Sequence, residues 1–165
     1  SQEALARVYE KYVDAMLTLA MGLLNHRTAA EDVVQDVFLS FARSARDLRS
    51  HGSLRSYLMT SVLNRVRDSR RQRLRQARRN AELGCGGEAA GPEQAAIRRE
   101  QAARLNTAVA ELPDEQREVV LLRLKANLKF REIARLQQTS ISTVLGRYRY
   151  GLDRLRSRLN GEVEP

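Results

Sequence analysis

The segment TSISTVLGRYRYGLDRLRSRL, residues 139–159, combines a helical repeat with two glycines and five arginines. Its apolar residues recur at spacings of three and four, which predicts an amphipathic helix. A glycine inside a helix costs about 1 kcal/mol relative to alanine. Gly146 and Gly151 therefore indicate two positions at which a side chain would interfere with something that approaches the helix closely.

The predicted helix has an apolar inner face and a small, polar outer face. The inner residues are Ile141, Val144, Tyr148, Leu152, Leu155 and Leu159, and the outer ones are Ser142, Gly146, Asp153 and Ser157. Arg147 and Arg154 line one flank, and Arg149 and Arg156 line the other. A helix in the DNA major groove meets a phosphate strand on each side and base edges below. The pattern therefore favours a DNA-reading helix over a solvated one, with Gly146 facing the groove and Gly151 packing against a neighbouring helix.

A short helix in KFREIARLQQ, residues 129–138, precedes this helix, and Thr139 or Ser140 is its candidate N-cap. A short helix, a tight turn and a longer helix form the helix-turn-helix plan. An ordinary helical hairpin has the same spacing, so the spacing alone does not distinguish it from a helix-turn-helix.

The rest of the chain also has helical periodicity, which predicts an all-α fold. Helices are expected at residues 4–24, at 29–45 with Thr28 as N-cap, from Leu54 into the basic run RRQRLRQARR, from about Glu93 to Glu111, and from Pro113 to Ala126–Asn127. The inward side chains of the last two are predicted to be Ile97, Leu105, Val109, Leu112, Val119, Val120, Leu122 and Leu124.

A glycine-rich stretch divides the chain. Residues 82–92, ELGCGGEAAGP, have the composition of a flexible linker. We therefore predict two small helical domains at residues 1–80 and 96–165, joined by a linker at residues 81–95, with the helix-turn-helix in the second.

The formal net charge of +9 at pH 7 favours a polyanionic partner over an inert basic surface. Cys85 is the single cysteine and has no partner for an internal disulfide, which favours a reducing compartment. His26 and His51 have no second ligand at metal spacing, so we expect no metal and no cofactor. No signal peptide or bilayer-spanning run is visible. The expected location is the cytoplasm.

Residues 111–159 resemble the carboxy-terminal, promoter-reading domain of bacterial sigma factors, through Leu112–Pro113, Arg117–Glu118–Val119, Glu132–Ile133–Ala134, Thr143–Val144 and Leu155–Arg156. AAEDVVQDVFLSFARS, residues 29–44, and SLRSYLMTSVLNRVRDSRR, residues 53–71, resemble the other sigma domain. With both halves in this order, the chain resembles an extracytoplasmic-function (group IV) sigma factor of the sigma-70 family.

The resemblance implies a non-enzymatic subunit that binds core RNA polymerase and promoter DNA, without membrane insertion. The helix at residues 29–45 would dock on the β′ clamp helices through Glu31, Asp32, Gln35 and Asp36. An acidic outward stripe in a basic protein independently indicates a specific partner. Contact with the β flap and control by an anti-sigma protein are further implications.

The resemblance also implies that the first domain reads the melted −10 element. Asn64 matches a polar position that can pair with a base, and the loop at residues 46–53 matches the position that sets −10 specificity. Tyr57 replaces the usual tryptophan, so we expect a core aromatic whose ring can also support a base. Phosphate contacts are expected from Arg65, Arg67, Arg70 and Arg71.

The second domain would read the duplex −35 element. The residues expected near bases are Ser142, Leu145, Gly146, Arg149 and Tyr150, and those expected at phosphates are Arg131, Arg147 and Arg154. The family often has arginine at the position of Leu145 and serine at that of Gly146. Fewer side chains are therefore available to contact base edges directly. Recognition of the −35 element would then depend more on the sequence-dependent shape of the DNA.

Two other classes of function are alternatives. A free-standing LuxR-like helix-turn-helix regulator would bind duplex DNA as a dimer, without polymerase. An enzyme would need a glycine-rich phosphate loop, a metal cluster or a nucleophile with its base, and none of these is visible in the sequence.

Overall fold

The computed structural model describes residues 1–45, 53–83 and 97–161. All regular secondary structure in these ranges is α-helical, which confirms the predicted all-α class. The helices are α1 (Gln2–Leu24), α2 (Arg27–Ser44), α3 (Leu54–Leu83), α4 (Ile97–Ala110), α5 (Asp114–Leu124), α6 (Phe130–Gln137) and α7 (Ile141–Leu159). Several predictions lie outside the described residues: the loop at 46–52, His51, the linker glycines with Cys85, a helix start near Glu93 and the side chain of Ile97.

Helix α2 begins differently from the prediction. The N-cap is His26, whose Nδ1 accepts a hydrogen bond from the backbone N–H of Ala29 at 3.1 Å. Thr28 was predicted to be the cap, but it lies inside the first turn. An imidazole nitrogen can accept the same bond as a hydroxyl oxygen, so this histidine replaces the usual cap. His26 is thus a structural residue of the helix start.

The first unit of the molecule is formed by α1, α2 and α3. Its core contains side chains that are almost completely buried: Met16, Leu19, Leu23, Val34, Val37, Leu58, Met59, Val62, Leu63 and Val66. Tyr57 lies at the edge of this core, with its ring centroid 6.2 Å from that of Phe41. The prediction that Tyr57 packs with the core agrees with this placement.

The second unit is formed by α4 to α7. Helix α6 ends at Gln137, and its C-cap Gln138 adopts a left-handed conformation. Ser140 caps α7 by accepting a hydrogen bond from the N–H of Thr143 at 3.1 Å. The tight turn between α6 and α7 is therefore that of a helix-turn-helix. Val144 and Leu155 of α7 are buried, as predicted, together with Val119, Leu122 and Ile133. Ile141 and Leu159, the two ends of the predicted inner face, are 44% and 40% exposed instead.

The burial of three leucines differs from the prediction. Leu105 and Leu124 are 40% and 51% exposed, whereas Leu121 is buried. Leu121 is buried because α1 of the first unit packs on α5: a Cβ built on Gly22 would lie 2.8 Å from the Leu121 side chain. The two units thus share one continuous core.

Arg117 closes the corner between α4 and α5. Its guanidinium donates to the carbonyl oxygens of Val109, Ala110 and Leu112 at 2.6 to 3.1 Å. Burial lowers the pKa of Arg117, and the nearby carboxylate of Asp114 opposes that shift. An arginine stays charged at any physiological pH, so the guanidinium of Arg117 remains a donor to these carbonyl oxygens throughout that range.

The two glycines of α7 have different surroundings, which leads to a stability prediction. A Cβ at Gly151 would lie 2.8 Å from Cγ2 of Val120, whereas one at Gly146 would meet nothing within 4 Å. Because Val120 is branched and buried, Gly151→Ala should destabilise the fold by about 1 kcal/mol or more through overpacking. Gly146→Ala should stabilise it by up to about 1 kcal/mol through helix propensity. Urea unfolding of the two variants measures both shifts, and shifts of the same sign would contradict the assignment.

Candidate nucleic-acid and polymerase interfaces

The acidic stripe predicted on α2 lies on the outside of the first unit. Asp32, Gln35 and Asp36 are exposed, and Val33, Val34 and Val37 of the same helix are buried. Within the described residues, Asp32 and Gln35 make no side-chain hydrogen bond or ion pair. Glu31 is half-buried and pairs with Arg27 at 2.9 Å. The helix therefore presents carboxylate and amide groups that a basic partner surface can bind.

A small groove between α2 and α3 brings together three of the residues predicted for the −10 element. Tyr57, Asn64 and Arg65 line a volume of about 230 Å³. Arg65 is also held toward α2, since its Nη2 lies 3.8 Å from Oδ2 of Asp36. The groove offers an aromatic ring, an amide and a cation, which are the groups that bind an unstacked base and its backbone.

Further groove residues were missed by the sequence analysis: Ser40, Ser61, Asp68 and Val37. Two of them had a detectable signal. Tyr57, Ser61, Asn64 and Asp68 follow one another at spacings of four, three and four, and so share one face of α3. The serine and acid therefore belong to the same surface as the predicted tyrosine and asparagine.

Two arginines predicted to contact −10 phosphates are occupied by protein groups instead. Arg67 Nη2 lies 3.1 Å from Oε2 of Glu118 in α5, and Arg67 Nη1 donates to the carbonyl of Leu136 in α6 at 3.3 Å. Arg70 Nη2 donates to the carbonyl of Leu23 at 2.5 Å. Both side chains face the interior of the molecule, so in this arrangement neither lies on the groove surface with Asn64.

Arg67 belongs to a polar network that crosses between the units. Glu118, whose exposure is only 7%, also accepts from Nε2 of Gln137 at 3.2 Å. Gln137 Oε1 in turn accepts from Arg147 Nη1 at 2.9 Å, and Arg147 pairs with Glu115 at 3.0 Å. Further cross-unit bonds run from Arg55 Nε to the carbonyl of Ala126 at 2.7 Å and from the Ser56 hydroxyl to Glu132 at 3.2 Å.

The outer face of α7 is open. Ser142 and Arg149 are exposed, Leu145 is 44% exposed and Tyr150 is 65% exposed. A Cβ added at Gly146 would meet no other atom within 4 Å. The residues predicted to lie near −35 bases therefore form one continuous outward surface.

The three arginines predicted at −35 phosphates have different environments. Arg131 at the start of α6 is exposed. Arg147 is half-buried and held by Glu115 and Gln137. Arg154 is exposed and lines a groove of about 720 Å³ between α4 and α7, together with Arg104 and Arg158. The flanks of α7 are thus cationic, but the Arg147 side chain is held by residues of the second unit itself.

No group of three or more potential metal ligands occurs among the described residues. None of the helices in the described ranges combines the length and apolar character needed to cross a bilayer.

Comparisons with known proteins fit this geometry. The sigma-70 region 2 model matches residues 8–76, and the sigma-70 region 4 model matches residues 102–154. The ECF RNA polymerase sigma factor SigK of Mycobacterium tuberculosis (strain H37Rv) is 27% identical over 165 residues, which cover 96% of this chain and 87% of the relative. The RNA polymerase sigma factor CnrH of Cupriavidus metallidurans is 27% identical in a match that covers 99% of this chain and 91% of the relative.

Two solved structures have the same fold. One is the sigma factor RpoE bound to the anti-sigma factor NepR from Bartonella quintana, with a TM-score of 0.81 at 20% identity, covering 96% of this chain and 98% of that one. The other is CnrH bound to the cytosolic domain of CnrY, with a TM-score of 0.71 at 21% identity, covering 99% and 92%.

The fold and its surfaces define a two-unit helical DNA-binding protein with a helix-turn-helix in its second unit. The chain belongs to the sigma-70 family of RNA polymerase sigma factors and is of the extracytoplasmic-function type. This family consists of non-enzymatic regulators of transcription. Both matching models and these relatives are sigma factors, so the alternative of a LuxR-like regulator has no support among them.

Proposed function

We propose that the exposed surfaces of this sigma factor bind different partners. The acidic stripe of α2 binds the β′ clamp helices of core polymerase, and the second unit meets the β flap. The α2–α3 groove receives a base of the melted −10 strand, and the outer face of α7 reads the −35 duplex. Residues 1–80 and 96–165 act as the two domains, and residues 81–95 join them. The protein works in the cytoplasm and catalyses no reaction of its own.

One observation carries this proposal. The acidic stripe and the base-sized groove share α2 in the first unit, while the second unit presents an unobstructed recognition helix. Three surfaces of different chemistry therefore face outward on one chain. Run-off transcription with core polymerase, followed by sequencing of the start sites, tests the whole assignment. Stable duplex binding without polymerase, combined with no polymerase association, would contradict it.

The packing of the two units supports a second step. We propose that this arrangement is an inactive form, since Arg67, a predicted −10 contact, is held by Glu118 of the other unit. The units would separate on polymerase to span both promoter elements. An anti-sigma protein would hold the packed form. Both structural neighbours are sigma factors bound to a second protein, and one of those partners is named as an anti-sigma factor.

The polymerase contact can be tested on α2. Asp32→Arg combined with Gln35→Ala should weaken polymerase binding about tenfold or more, since close interfacial charge pairs contribute about 1.5 kcal/mol or more. Surface plasmon resonance with immobilised core polymerase measures the affinity. Asp14→Arg with Gln2→Ala makes the same changes at exposed positions of α1 and should bind normally. Equal losses in both variants, with unchanged circular dichroism, would mean a general charge effect.

The −35 contact can be tested at Gly146. Gly146→Glu should abolish −35 duplex binding by the holoenzyme and leave polymerase binding intact, because it adds a carboxylate among DNA phosphates at an otherwise open position. Gly146→Gln is the matched control for side-chain size and should retain part of the binding. Loss of polymerase binding together with DNA binding would instead make this part of α7 a structural element.

The packed arrangement can be tested through Arg67. Arg67→Met leaves the buried Glu118 carboxylate without its ion-pair partner, which is strongly destabilising for a buried pair. With spin labels on α2 and α7, electron paramagnetic resonance should give a longer and broader distance distribution than in the parent. Arg71→Met, at an exposed residue without cross-unit contacts, should keep the parent distance. An unchanged distance in Arg67→Met, or on addition of polymerase, would argue against separation.

A further inference from the structure

We propose that Gln137 is a positioning residue for −35 recognition: its side-chain amide holds the guanidinium of Arg147 in place for a phosphate of the −35 duplex. This proposal rests on the role of α7 proposed above. It adds a residue that acts on the DNA only through Arg147.

The arginines on the flanks of α7 are of two kinds. Arg147 is held by its own unit, since its Nη1 donates to Oε1 of Gln137 at 2.9 Å and its Nη2 lies 3.0 Å from Oε2 of Glu115. The others are exposed, and their side chains make no hydrogen bond or ion pair in the part of the chain that the structure describes: Arg149, Arg154 and Arg156. Arg147 is therefore the flank cation whose position is set before DNA binds.

The amide of Gln137 has one favourable orientation. Its Nε2 donates to the backbone carbonyl of Glu115 at 3.1 Å and to Oε2 of Glu118 at 3.2 Å. If the amide were turned over, its oxygen would face these two acceptors and its NH2 group would face the guanidinium of Arg147. Both contacts would be repulsive. The carboxylate of Glu118 and the Glu115 carbonyl therefore direct Oε1 of Gln137 toward Arg147.

Gln137 connects three helices of the second unit. It is the last residue of α6, and it bonds to Glu118 of α5 and to Arg147 of α7. The turn that follows is also fixed, because the N–H of Thr139 donates to the carbonyl of Ala134 at 3.0 Å. The guanidinium of Arg147 thus has a set position relative to α6 and α7, which are the two helices that a helix-turn-helix places on DNA.

The bond from Gln137 fixes Arg147 without cancelling its charge. A glutamine is neutral, and the Glu115 side chain that pairs with Arg147 is 69% exposed, so water screens that ion pair. The Arg147 side chain is itself 23% exposed, and a guanidinium has more N–H donors than these two bonds use. A phosphate can therefore reach a cation that is already in place.

Fixing the side chain in advance favours DNA binding. A long side chain loses rotamer freedom when it is immobilised at an interface. Arg147 has lost that freedom before DNA arrives, whereas the exposed Arg154 must lose it on binding. A binding site is also more precise when its contacting side chains are held by a supporting layer of residues. We therefore expect Arg147 to bind phosphate more strongly than Arg154 does, with Gln137 as the cause.

The test is a double-mutant cycle on promoter binding by the holoenzyme, with a promoter fragment identified by start-site sequencing. Arg147→Met should weaken binding about tenfold, as expected for a lost hydrogen bond to a charged group. Gln137→Met keeps the length of the side chain but removes both ends of the amide, and should weaken binding about threefold or more. In the Arg147→Met background, Gln137→Met should have almost no further effect. Fluorescence anisotropy measures the four affinities.

Arg131 provides the matched background. It is exposed, is also expected at a −35 phosphate, and shares no hydrogen bond with Gln137 within the described residues. In Arg131→Met, the change Gln137→Met should still weaken binding about threefold, because independent sites are additive. A merely structural role of Gln137 would weaken binding equally in the Arg131→Met and Arg147→Met backgrounds, and that result would overturn the proposal.

A second measurement locates the contact. Single neutral methylphosphonate linkages are placed in turn along the −35 duplex, and the linkage at the phosphate bound by Arg147 should weaken the parent but not Arg147→Met. At that linkage Gln137→Met should lose clearly less affinity than the parent. Equal losses there in Gln137→Met and the parent would overturn the positioning role alone. If Arg147→Met loses as much as the parent at every linkage, the proposed phosphate contact of Arg147 fails, and the positioning role fails with it.

Discussion

The buried carboxylate of Glu118 constrains the arrangement of the whole molecule. A carboxylate removed from water needs hydrogen-bond donors or a cation. Glu118 obtains a guanidinium from Arg67 of the other unit and an amide from Gln137 of α6. Because Gln137 also holds Arg147 of the recognition helix, one network joins α3, α5, α6 and α7. Around it, the close approach of Gly22 to Leu121 completes an apolar contact between the units.

This constraint divides the arginines into two groups. Those of the first group satisfy carbonyl or carboxylate groups inside the protein, and they are Arg55, Arg67, Arg70, Arg117, Arg123 and Arg147. The other arginines whose side chains the structure describes lie exposed on the surface. At least six of the 29 lysine and arginine side chains are therefore bound within the protein and are not free to contact DNA. Arginine suits the internal role because its planar guanidinium donates several bonds in fixed directions and is weakly hydrated compared with lysine.

The sequence predicted the features that depend on local periodicity. The all-α class, the helix-turn-helix and the different surroundings of Gly146 and Gly151 follow from spacing within single helices. What it did not predict depends on contacts between distant segments. Leu121 is buried only because α1 covers it, and Arg67 is occupied only because Glu118 approaches it from the other unit. The cap at His26 was missed for a local reason, since a histidine accepting through Nδ1 is less common than the threonine two residues later.

The packed arrangement leaves most of the proposed partner surfaces exposed. The acidic stripe of α2 and the outer face of α7 both face solvent, so a partner that binds only one of them has no reason to prefer separated units. A ligand shifts a conformational equilibrium only by its difference in affinity for the two states. Separation also exposes Leu121 and leaves Glu118 without Arg67, which opposes it. If the units separate as proposed, the driving force must therefore come from a partner that contacts both at a spacing the packed form does not allow, which is the role proposed for polymerase with its promoter.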